Sequence, residues 1–305
     1  MHDVIIIGGG PAGVAAGVYS ARKKLKTLMI TESFGGQSAI AESIENWIGA
    51  KKISGGEFAK ILEGHIRTQE NIEIKMPEGV VDVKEMPGGW EITTDKNNSY
   101  QAKALIIASG GRRRRLNVPG EDKFEGKGVA YCSTCDAPIF KDKSVAVIGA
   151  GDAGLAAAID LAQYAVSVYL LSNKKSLIGD MSLQEIVRNS ERITIITDAD
   201  VQEVLGGKFV SGLKYLDKND NQIKELNVEG IFVEIGSTPN SEFIKKLVDT
   251  NQKGEIIIDH RTGATSRFGI FAAGFATDEI YKQNNICAGD GVVAALSAYN
   301  YLLNL

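Results

Sequence analysis

The sequence predicts an α/β fold that contains two Rossmann-like dinucleotide-binding domains. The chain has 305 residues, a length that favours two domains or one large one. Two segments, one at the start of the chain and one near its middle, each pass from a short apolar strand through a glycine-rich turn into a helix of small residues. Such strand–turn–helix units are typical of dinucleotide-binding domains.

Composition excludes several classes of function. Hydrophobic residues make up 44% of the chain, and the net charge of -4 provides no general attraction to nucleic acid or to an anionic membrane. No apolar run approaches the roughly 18 residues that span a bilayer. The first residues, MHDVIIIGGG, are typical of a buried strand and lack the basic start of a signal peptide. Three cysteines are a low count, so we expect a cytoplasmic protein.

The first unit begins with an apolar strand at residues 4–7 and turns through Gly8, Gly10 and Gly13. These glycines match G-x-G-x-x-G in the context that a pyrophosphate site requires, although a glycine-rich turn without a ligand is the alternative. The next strand ends at Thr31 and Glu32, where an acid can bond ribose hydroxyls.

The second unit begins with a strand at residues 145–148 and turns through Gly149, Gly151 and Gly154. A helix and the strand-like segment VSVYLL follow it. Two such units predict two dinucleotide sites, one in each domain.

A C-x-x-C pair, Cys132 and Cys135, lies just before the second unit. A structural zinc usually needs four ligands, but only Cys287 remains and the three histidines lie in no paired spacing. A structural disulfide closed over two residues adds little stability and is rare in the cytosol. Redox chemistry is therefore the leading interpretation, with a flavin in one domain and a second donor site in the other.

These segments resemble the low-molecular-weight thioredoxin reductase family along nearly the whole chain. The matching landmarks, in order, are GGGPAG, GGQ, IENWIG, LIIASG, VPGEDKF, YCSTCD, GAGDAG, GIFVEIGSTPN and GIFAAG. The segment GEIIIDHRTGATSRFGIFAAG is similar to the flavoprotein component of alkyl hydroperoxide reductase. That component is a sister group that normally carries an extra N-terminal thioredoxin-like domain. Because this sequence starts at the flavin strand, we expect its disulfide partner to be a separate protein.

The resemblance implies that the second domain is inserted in the first. Residues 1–115 and 242–305 would form a discontinuous FAD-binding domain, and residues 116–241 an NAD(P)-binding-like domain that carries the cysteine pair. Connectors would lie near LNVPGED and GSTPNS, and the segment KFVSGLKYLDKNDNQIKEL would form a hairpin-rich insertion. The family is typically homodimeric.

The resemblance also assigns roles to residues. Cys135 would face the flavin, Cys132 would attack the partner protein, and Asp136 would supply and accept the proton, its alternative role being a cap at a helix start. Cys287 would be a buried spectator. The implied cofactor-binding residues are Gly8, Gly10, Pro11, Ala12, Gly13, Thr31, Glu32, Gly35, Gly36, Gln37, Asn46, Ala108, Gly110, Gly274, Lys282 and Gln283 for FAD, and Gly149, Gly151 and Gly154 for the pyridine nucleotide.

The sequence departs from the family pattern after the second strand of the second domain. NADPH-using members have a basic H-R-R-x-x-x-R stretch there, whereas this chain has Ser172, Asn173, Lys174 and Lys175 without the later arginine. The acid that NADH-using relatives place near Ser172 is also missing. The lysines either read a 2′-phosphate or form a solvated turn, so NADPH and NADH both stay open as donors.

Two further departures concern FAD and the donor. Phe275 occupies the position of the family's FAD-bonding aspartate, and Asp278 is the candidate substitute. Residues 112–115 are four consecutive arginines, which are either a solvated surface run or a patch that steers an acidic ferredoxin.

The predicted function is an FAD-dependent disulfide oxidoreductase that passes electrons through the cysteine pair to thioredoxin or a thioredoxin-like protein. The donor is NAD(P)H by family default. The alternatives are a ferredoxin-linked thioredoxin reductase and a non-enzymatic flavoprotein that acts as a redox sensor.

Overall fold

The computed structural model describes residues 1–41 and 43–305. The helices are α1 (Pro11–Arg22), α2 (Gly55–Arg67), α3 (Glu121–Phe124), α4 (Ser133–Asp136), α5 (Asp152–Leu161), α6 (Met181–Asn189) and α7 (Asn284–Leu303). The strands are β1 (His2–Gly9), β2 (Thr27–Phe34), β3 (Ile72–Lys75), β4 (Val80–Met86), β5 (Gly89–Thr94), β6 (Ser99–Ile107), β7 (Gly111–Arg113), β8 (Val129–Ala130), β9 (Ser144–Ile148), β10 (Ser167–Leu171), β11 (Ile193–Ile196), β12 (Ala199–Gly206), β13 (Val210–Asp217), β14 (Gln222–Leu226), β15 (Gly230–Val233), β16 (Ser237–Pro239) and β17 (Ile270–Ala272).

The chain divides into two compact units. Unit 1 contains Met1–Arg112 and Thr238–Leu305, and unit 2 contains Arg113–Ser237. The sequence placed the two boundaries after residues 115 and 241, so each lies a few residues later than the division in the structure. The short strands β7 and β16, which pair with each other, are the segments at which the chain leaves unit 1 and returns to it.

Unit 1 is built on one mixed sheet. Its order is β3-β2-β1-β6-β5-β4, and β17 pairs in parallel with β6. The strands β1, β2, β3, β6 and β17 run parallel, while β4 and β5 form an antiparallel extension. Apolar side chains of β1 alternate between two cores: Val4 and Ile6 pack on the side of α1, α2 and α7, and Ile5 and Ile7 pack on the other side. Burial on both faces explains the continuous apolar run.

Unit 2 repeats the parallel architecture on a smaller scale. Its sheet has the order β11-β10-β9-β15-β8, and its strand pairs are parallel. A separate antiparallel sheet of β12, β13 and β14 includes the hairpin expected from the sequence at residues 208–226. The predicted α/β class with two Rossmann-like domains is confirmed.

Helix α7 is the one helix of the described residues that is long and apolar enough, by length and composition, to cross a membrane. Asp290 interrupts the apolar residues of this helix, so it is not the continuous apolar run whose absence the sequence analysis noted. The core helix of a soluble protein passes the same test, and α7 packs closely on α1: a Cβ atom on Gly291 would lie 2.1 Å from the carbonyl oxygen of Ala12.

Candidate active site

The carboxyl ends of four parallel strands bring most of the predicted FAD residues to one edge of unit 1. Strand β1 ends in the glycine turn, and β2 carries Thr31 and Glu32 near its end. Strand β6 ends just before Ala108, and β17 ends two residues before Gly274. Open α/β sheets bind their ligands at this edge.

Close backbone contacts explain two glycines of the first turn. Gly8 has φ +115°, and a Cβ atom on it would lie 2.2 Å from the carbonyl oxygen of Ala108. A Cβ atom on Gly13 would lie 1.9 Å from the carbonyl oxygen of Gly8. Neither position has room for a side chain, so the turn fastens β1, β6 and the start of α1 together.

Gly10 and Gly36 form the opening above this turn. A Cβ atom on Gly10 would meet the Cα atom of Gly36 at 3.9 Å, and one on Gly36 would meet that of Gly10 at 3.5 Å. Gly10 precedes α1, Pro11 opens the helix, and no side chain caps it. The first-turn N–H groups are thus left for a ligand, and the cleft between two bare glycines fits the pyrophosphate of FAD.

Hydrogen bonds connect Ser38 and Asn46 to residues at the start of α7. The Nδ2 of Asn46 donates to Oε1 of Gln283 at 3.3 Å, and Nδ2 of Asn285 donates to the carbonyl oxygen of Asn46 at 2.7 Å. The hydroxyl of Ser38 donates to Oδ1 of Asn284 at 3.0 Å. The predicted residues Asn46 and Gln283 therefore meet, and Ser38, Asn284 and Asn285 are contacts that the sequence did not reveal.

Four other predicted residues take separate places at this edge. Gln37 donates from Nε2 to the carbonyl oxygen of Gly111 at 2.5 Å, which joins its segment to the start of β7. Gly35 and Gly110 both have positive φ, +86° and +68°. The carboxylate of Glu32 is exposed, as a ribose-binding acid must be.

Phe275 packs within unit 1. A Cβ atom on Gly111 would lie 2.6 Å from Cδ1 of Phe275, so a bare glycine makes room for the ring. The Nζ atom of Lys282 lies 5.5 Å from the ring centroid and 3.2 Å from Oε1 of Glu255. Lys282 also donates to the carbonyl oxygen of Thr277. Its ammonium group is thus held by a ring, a carboxylate and the backbone.

Asp290 is an acid that interacts with Gly274. Its carboxylate accepts a hydrogen bond from the Gly274 N–H, and among the described residues its Oδ2 is buried without a hydrogen-bond partner. Burial raises the pKa of Asp290. Asp278, the substitute considered from the sequence, instead accepts from the Ile258 N–H at 3.3 Å and lies 3.5 Å from Nε2 of His260.

Cys287 is a buried free thiol on α7, as the sequence led us to expect. Burial, together with the nearby Asp290, raises its pKa to about 11. A thiol of this kind is unreactive near neutral pH.

The cysteine pair forms a disulfide in unit 2. Cys132 and Cys135 are bonded, with Cα atoms 5.3 Å apart. Cys132 is the N-cap residue of α4, and its Sγ accepts from the Cys135 N–H at 3.2 Å. Asp136 is the last residue of α4 and the N-cap residue of the 3-10 helix Ala137–Phe140, where its side chain makes no capping hydrogen bond.

Asp136 is suited to hold a proton near neutral pH. Burial raises the pKa of its carboxyl to about 6, and the nearby Arg113 guanidinium partly offsets that rise. A carboxyl with this pKa, next in sequence to Cys135, can both give and take a proton during thiol exchange.

The second glycine turn repeats the geometry of the first. Gly149 has φ +121°, and a Cβ atom on it would lie 2.3 Å from the carbonyl oxygen of Glu234. A Cβ atom on Gly154 would lie 1.8 Å from the carbonyl oxygen of Gly149. Gly151 has no atom within 4 Å of such a Cβ, which leaves the approach to α5 open for a ligand.

A third lysine, which the sequence did not indicate, contacts the turn after β10 from elsewhere in the chain. Ser172 is buried, and its hydroxyl accepts from the Lys174 N–H at 3.1 Å. The side chains of Lys174 and Lys175 are exposed. Lys218 reaches this turn from the end of β13 and donates from Nζ to the carbonyl oxygen of Asn173 at 3.1 Å. The sequence did not reveal this contact because Lys218 lies 45 residues after Asn173.

The arginine run is not a continuous patch of unmatched charge. Arg112 lies 2.5 Å from Oε1 of Glu242, and Arg115 lies 2.8 Å from Oε2 of Glu125. Arg113 acts on the buried carboxyls of unit 2. Three of the four arginines therefore lie near acidic groups. These acids offset much of the positive charge on which the interpretation as a ferredoxin-steering patch depended.

Two glycine turns of the same geometry and a cysteine pair beside the second define a dinucleotide-dependent disulfide oxidoreductase scaffold. The family model for pyridine nucleotide-disulphide oxidoreductases matches residues 2–291, and the chain belongs to this family. The family uses FAD and NAD(P)H, which agrees with the fit of the first turn to FAD.

Individual relatives refine this assignment. The chain is 43% identical over 304 residues to an alkyl hydroperoxide reductase component of Pseudomonas aeruginosa, covering 99% of this chain and 58% of that protein. It is 39% identical over 302 residues to the NADH dehydrogenase of Bacillus subtilis, with 99% and 58% covered. The chain thus spans little more than half the length of these curated relatives.

Solved structures match over the full length. Thioredoxin reductase from Streptococcus pyogenes aligns with a TM-score of 0.93 and 32% identity, covering 100% of this chain and 99% of that one. Thioredoxin reductase from Giardia duodenalis aligns with a TM-score of 0.93 and 31% identity, covering 99% of each. The resemblance to thioredoxin reductases is confirmed.

Proposed function

We propose that this protein is an FAD-dependent disulfide reductase that acts on thioredoxin or a thioredoxin-like protein. The observation that carries the proposal is the Cys132–Cys135 disulfide followed directly by Asp136, a carboxyl with a pKa of about 6. A structural disulfide has no need of such an acid, whereas thiol–disulfide exchange requires protons to be moved.

FAD would be held at the edge of unit 1. The pyrophosphate would lie at the cleft of Gly10 and Gly36, against the N–H groups of α1. Glu32 would accept from ribose hydroxyls, and the Asn46–Gln283 pair would line the far end of the site. When bound, FAD supplies the means of taking a hydride and passing on two electrons.

The cysteines and Asp136 would carry out the exchange. Cys132 would attack the partner's disulfide as a thiolate, while Cys135 would receive the electrons from the flavin side, as the resemblance implies. Asp136 would protonate the departing sulfur and accept that proton again when the thiol reacts. The Cys135 N–H bond to Sγ of Cys132 would favour negative charge on that sulfur.

We propose NAD(P)H as the electron donor, bound at the turn of Gly149, Gly151 and Gly154. Ferredoxin remains the alternative donor, although the pairing of Arg112 and Arg115 with acids weakens the argument for it. We also propose a cytoplasmic location and a homodimer, since these are the expectations for the family.

Rapid-mixing reduction of the bound flavin tests the donor. NADPH, NADH and reduced ferredoxin are compared side by side, followed by steady-state reduction of a thioredoxin disulfide with the best donor. We expect NAD(P)H to bleach the flavin and thioredoxin to restore it. If the flavin is reduced but no thioredoxin or thioredoxin-like disulfide is turned over, the protein is instead a redox-sensing flavoprotein.

A further inference from the structure

We propose that Glu234, which the sequence did not single out, is a positioning residue of the disulfide. Its carboxylate holds the cysteine turn and shares the Arg113 guanidinium with Asp136. The two carboxyls then keep one proton between them for the thiol–disulfide exchange. This inference rests on the proposed function for the use of that proton. The cluster of Arg113, Asp136, Asp160 and Glu234 lies entirely within unit 2.

The backbone of Glu234 is fixed by the second glycine turn. Glu234 is the first residue after β15, and its N–H donates to the carbonyl oxygen of Ile148 at 2.8 Å. A Cβ atom on Gly149 would lie 2.3 Å from the carbonyl oxygen of Glu234. The place of this residue is thus set by the turn at which a pyridine nucleotide would bind.

The side chain of Glu234 points to the cysteine turn. Its carboxylate accepts a hydrogen bond from the backbone N–H of Ser133, the residue that follows Cys132 and begins α4. Ser133 is itself buried, and its hydroxyl donates to Oδ2 of Asp160 at 3.0 Å. Ser133, the first of the two residues between the cysteines, therefore contacts acids from two different elements.

Arg113 is the cation that Glu234 and Asp136 share. It is largely buried and acts on both carboxyls, favouring their ionised forms. Burial opposes ionisation more strongly and raises the pKa of Glu234 to about 7 and that of Asp136 to about 6; Asp160 and Asp136 add like charge around Glu234. One guanidinium only partly offsets the two half-buried carboxylates, so the pair takes up a proton as the pH falls from about 7 to about 6.

This proton has a use in the exchange. Reduction of the disulfide breaks the S–S bond and places two electrons on the sulfurs, at the expense of the reduced flavin. One sulfur then takes up a proton, which Asp136 delivers, and Glu234 sets how readily Asp136 holds it. When the dithiol reduces a partner disulfide, the thiol proton returns to Asp136 and the partner's sulfurs are protonated from solvent.

The test is the pH dependence of the reaction between DTNB, a small disulfide, and the FAD-loaded protein after it has been reduced with dithionite and freed of excess dithionite. In the wild-type protein we expect an inflection between about pH 6 and pH 7, in addition to thiol ionisation. Glu234→Gln keeps an acceptor for the Ser133 N–H but removes the charge, so the inflection should fall by about one pH unit. Arg113→Gln removes the cation and should move it upward.

Glu229→Gln is the matched control, because Glu229 lies just before β15 and its side chain is exposed. Its profile should coincide with that of the wild type. Opposite shifts in Glu234→Gln and Arg113→Gln cannot arise from general loosening of the fold. Profiles that are unchanged in both variants would overturn the proposal.

The outcome is independent of the proposed function. DTNB reacts with the dithiol without a nucleotide donor or a protein partner, so failure to reduce thioredoxin would leave the pH test intact. Conversely, unchanged profiles in a protein that does reduce thioredoxin would reject the role of Glu234 and leave the function standing.

Discussion

A Cβ atom on Gly13 would lie 1.9 Å from the carbonyl oxygen of Gly8, so no side chain fits where α1 begins. Gly13→Val should push the helix away from the turn and misplace the N–H groups that would face the pyrophosphate. We expect flavin affinity to fall by about tenfold or more, since one lost charge-assisted contact has that effect. The ratio of flavin to protein absorbance after purification measures the loss.

The second glycine turn provides a matched control for that experiment. Gly154 stands in the same relation to Gly149, with a Cβ–oxygen separation of 1.8 Å. Gly154→Val should therefore strain unit 2 to the same degree, keep the flavin and weaken the pyridine nucleotide instead. Equal loss of flavin from both variants would mean that general unfolding, not the site, explains the result.

Replacing either cysteine should abolish disulfide reduction, for different reasons. Cys135→Ser should stop electrons from leaving the reduced flavin, because we propose that the Cys135 sulfur receives them. Cys132→Ser should leave a Cys135 thiolate beside oxidised flavin, which gives a red-shifted charge-transfer band in the visible spectrum. The appearance of that band in Cys135→Ser would reverse the two assignments.

Asp136 should make the protein less stable at higher pH. Its carboxyl has a folded pKa of about 6, above its ordinary value, so the folded state binds more protons than the unfolded state between these values. Stability should therefore fall as pH rises through this window and level off above pH 6. Asp136→Asn removes the buried charge, and in the oxidised protein it should gain about 2 kcal/mol relative to the wild type at pH 8.

Urea unfolding of both proteins at pH 4.5 and pH 8 measures this effect. At the lower pH the wild-type carboxyl is protonated in the folded state, so the difference between the two proteins should shrink there. A constant difference at both pH values would show that Asp136 is not the titrating group.

FAD retention should depend more on Asp290 than on Asp278. Asp290 accepts from the Gly274 N–H and has a buried oxygen without a partner among the described residues, whereas Asp278 is occupied by Ile258 and His260. Asp290→Ala should weaken FAD binding by about tenfold, and Asp278→Ala should have little effect. Fluorescence titration of the apoproteins with FAD compares them; the reverse order would restore the sequence-based candidate.

Local patterns in the sequence were sufficient to predict the strands and glycine turns. The nearest atoms to a Cβ on Gly13 or Gly154 are backbone atoms of the same turn, so the motif itself determines these two contacts, whereas Gly8 and Gly149 meet Ala108 and Glu234 at strand ends far along the chain. The order of the glycines along the chain thus contained most of the information about both nucleotide turns.

Contacts between distant segments could not be predicted in this way. Lys218 reaches Asn173 from a strand more than forty residues later, and Glu234 reaches Ser133 across the sheet of unit 2. For the arginine run, the sequence suggested a patch that the structure does not contain. Four consecutive arginines indicated a patch of unpaired charge, but the fold places acids such as Glu242 beside them. A residue at the carboxyl end of a central strand, such as Glu234, could have been suspected from position alone.

The protein should discriminate only weakly between NADPH and NADH, because the turn after β10 contains no arginine. A 2′-phosphate gains charge-assisted hydrogen bonds of roughly 1.5–3 kcal/mol each, and two missing bonds raise a dissociation constant by about two to four decades. Lys174 and Lys175 are exposed point charges, and Lys218 already donates to the Asn173 carbonyl. We therefore expect slow flavin reduction by both nucleotides.

A designed change of this turn tests that expectation. Replacing Ser172 would remove a buried hydroxyl that accepts from the Lys174 N–H, so the variant should keep Ser172 and combine Asn173→Arg with Lys174→Arg. This variant should bind NADPH at least about tenfold more tightly than NADH, because a guanidinium can donate two hydrogen bonds to a phosphate. Lys208→Arg, at an exposed position on another loop, is the control and should leave the preference unchanged.

Fast, saturating reduction of the wild-type flavin by NADPH would mean that the three lysines suffice. Reduction by ferredoxin alone would instead identify the alternative donor and direct attention back to residues 112–115.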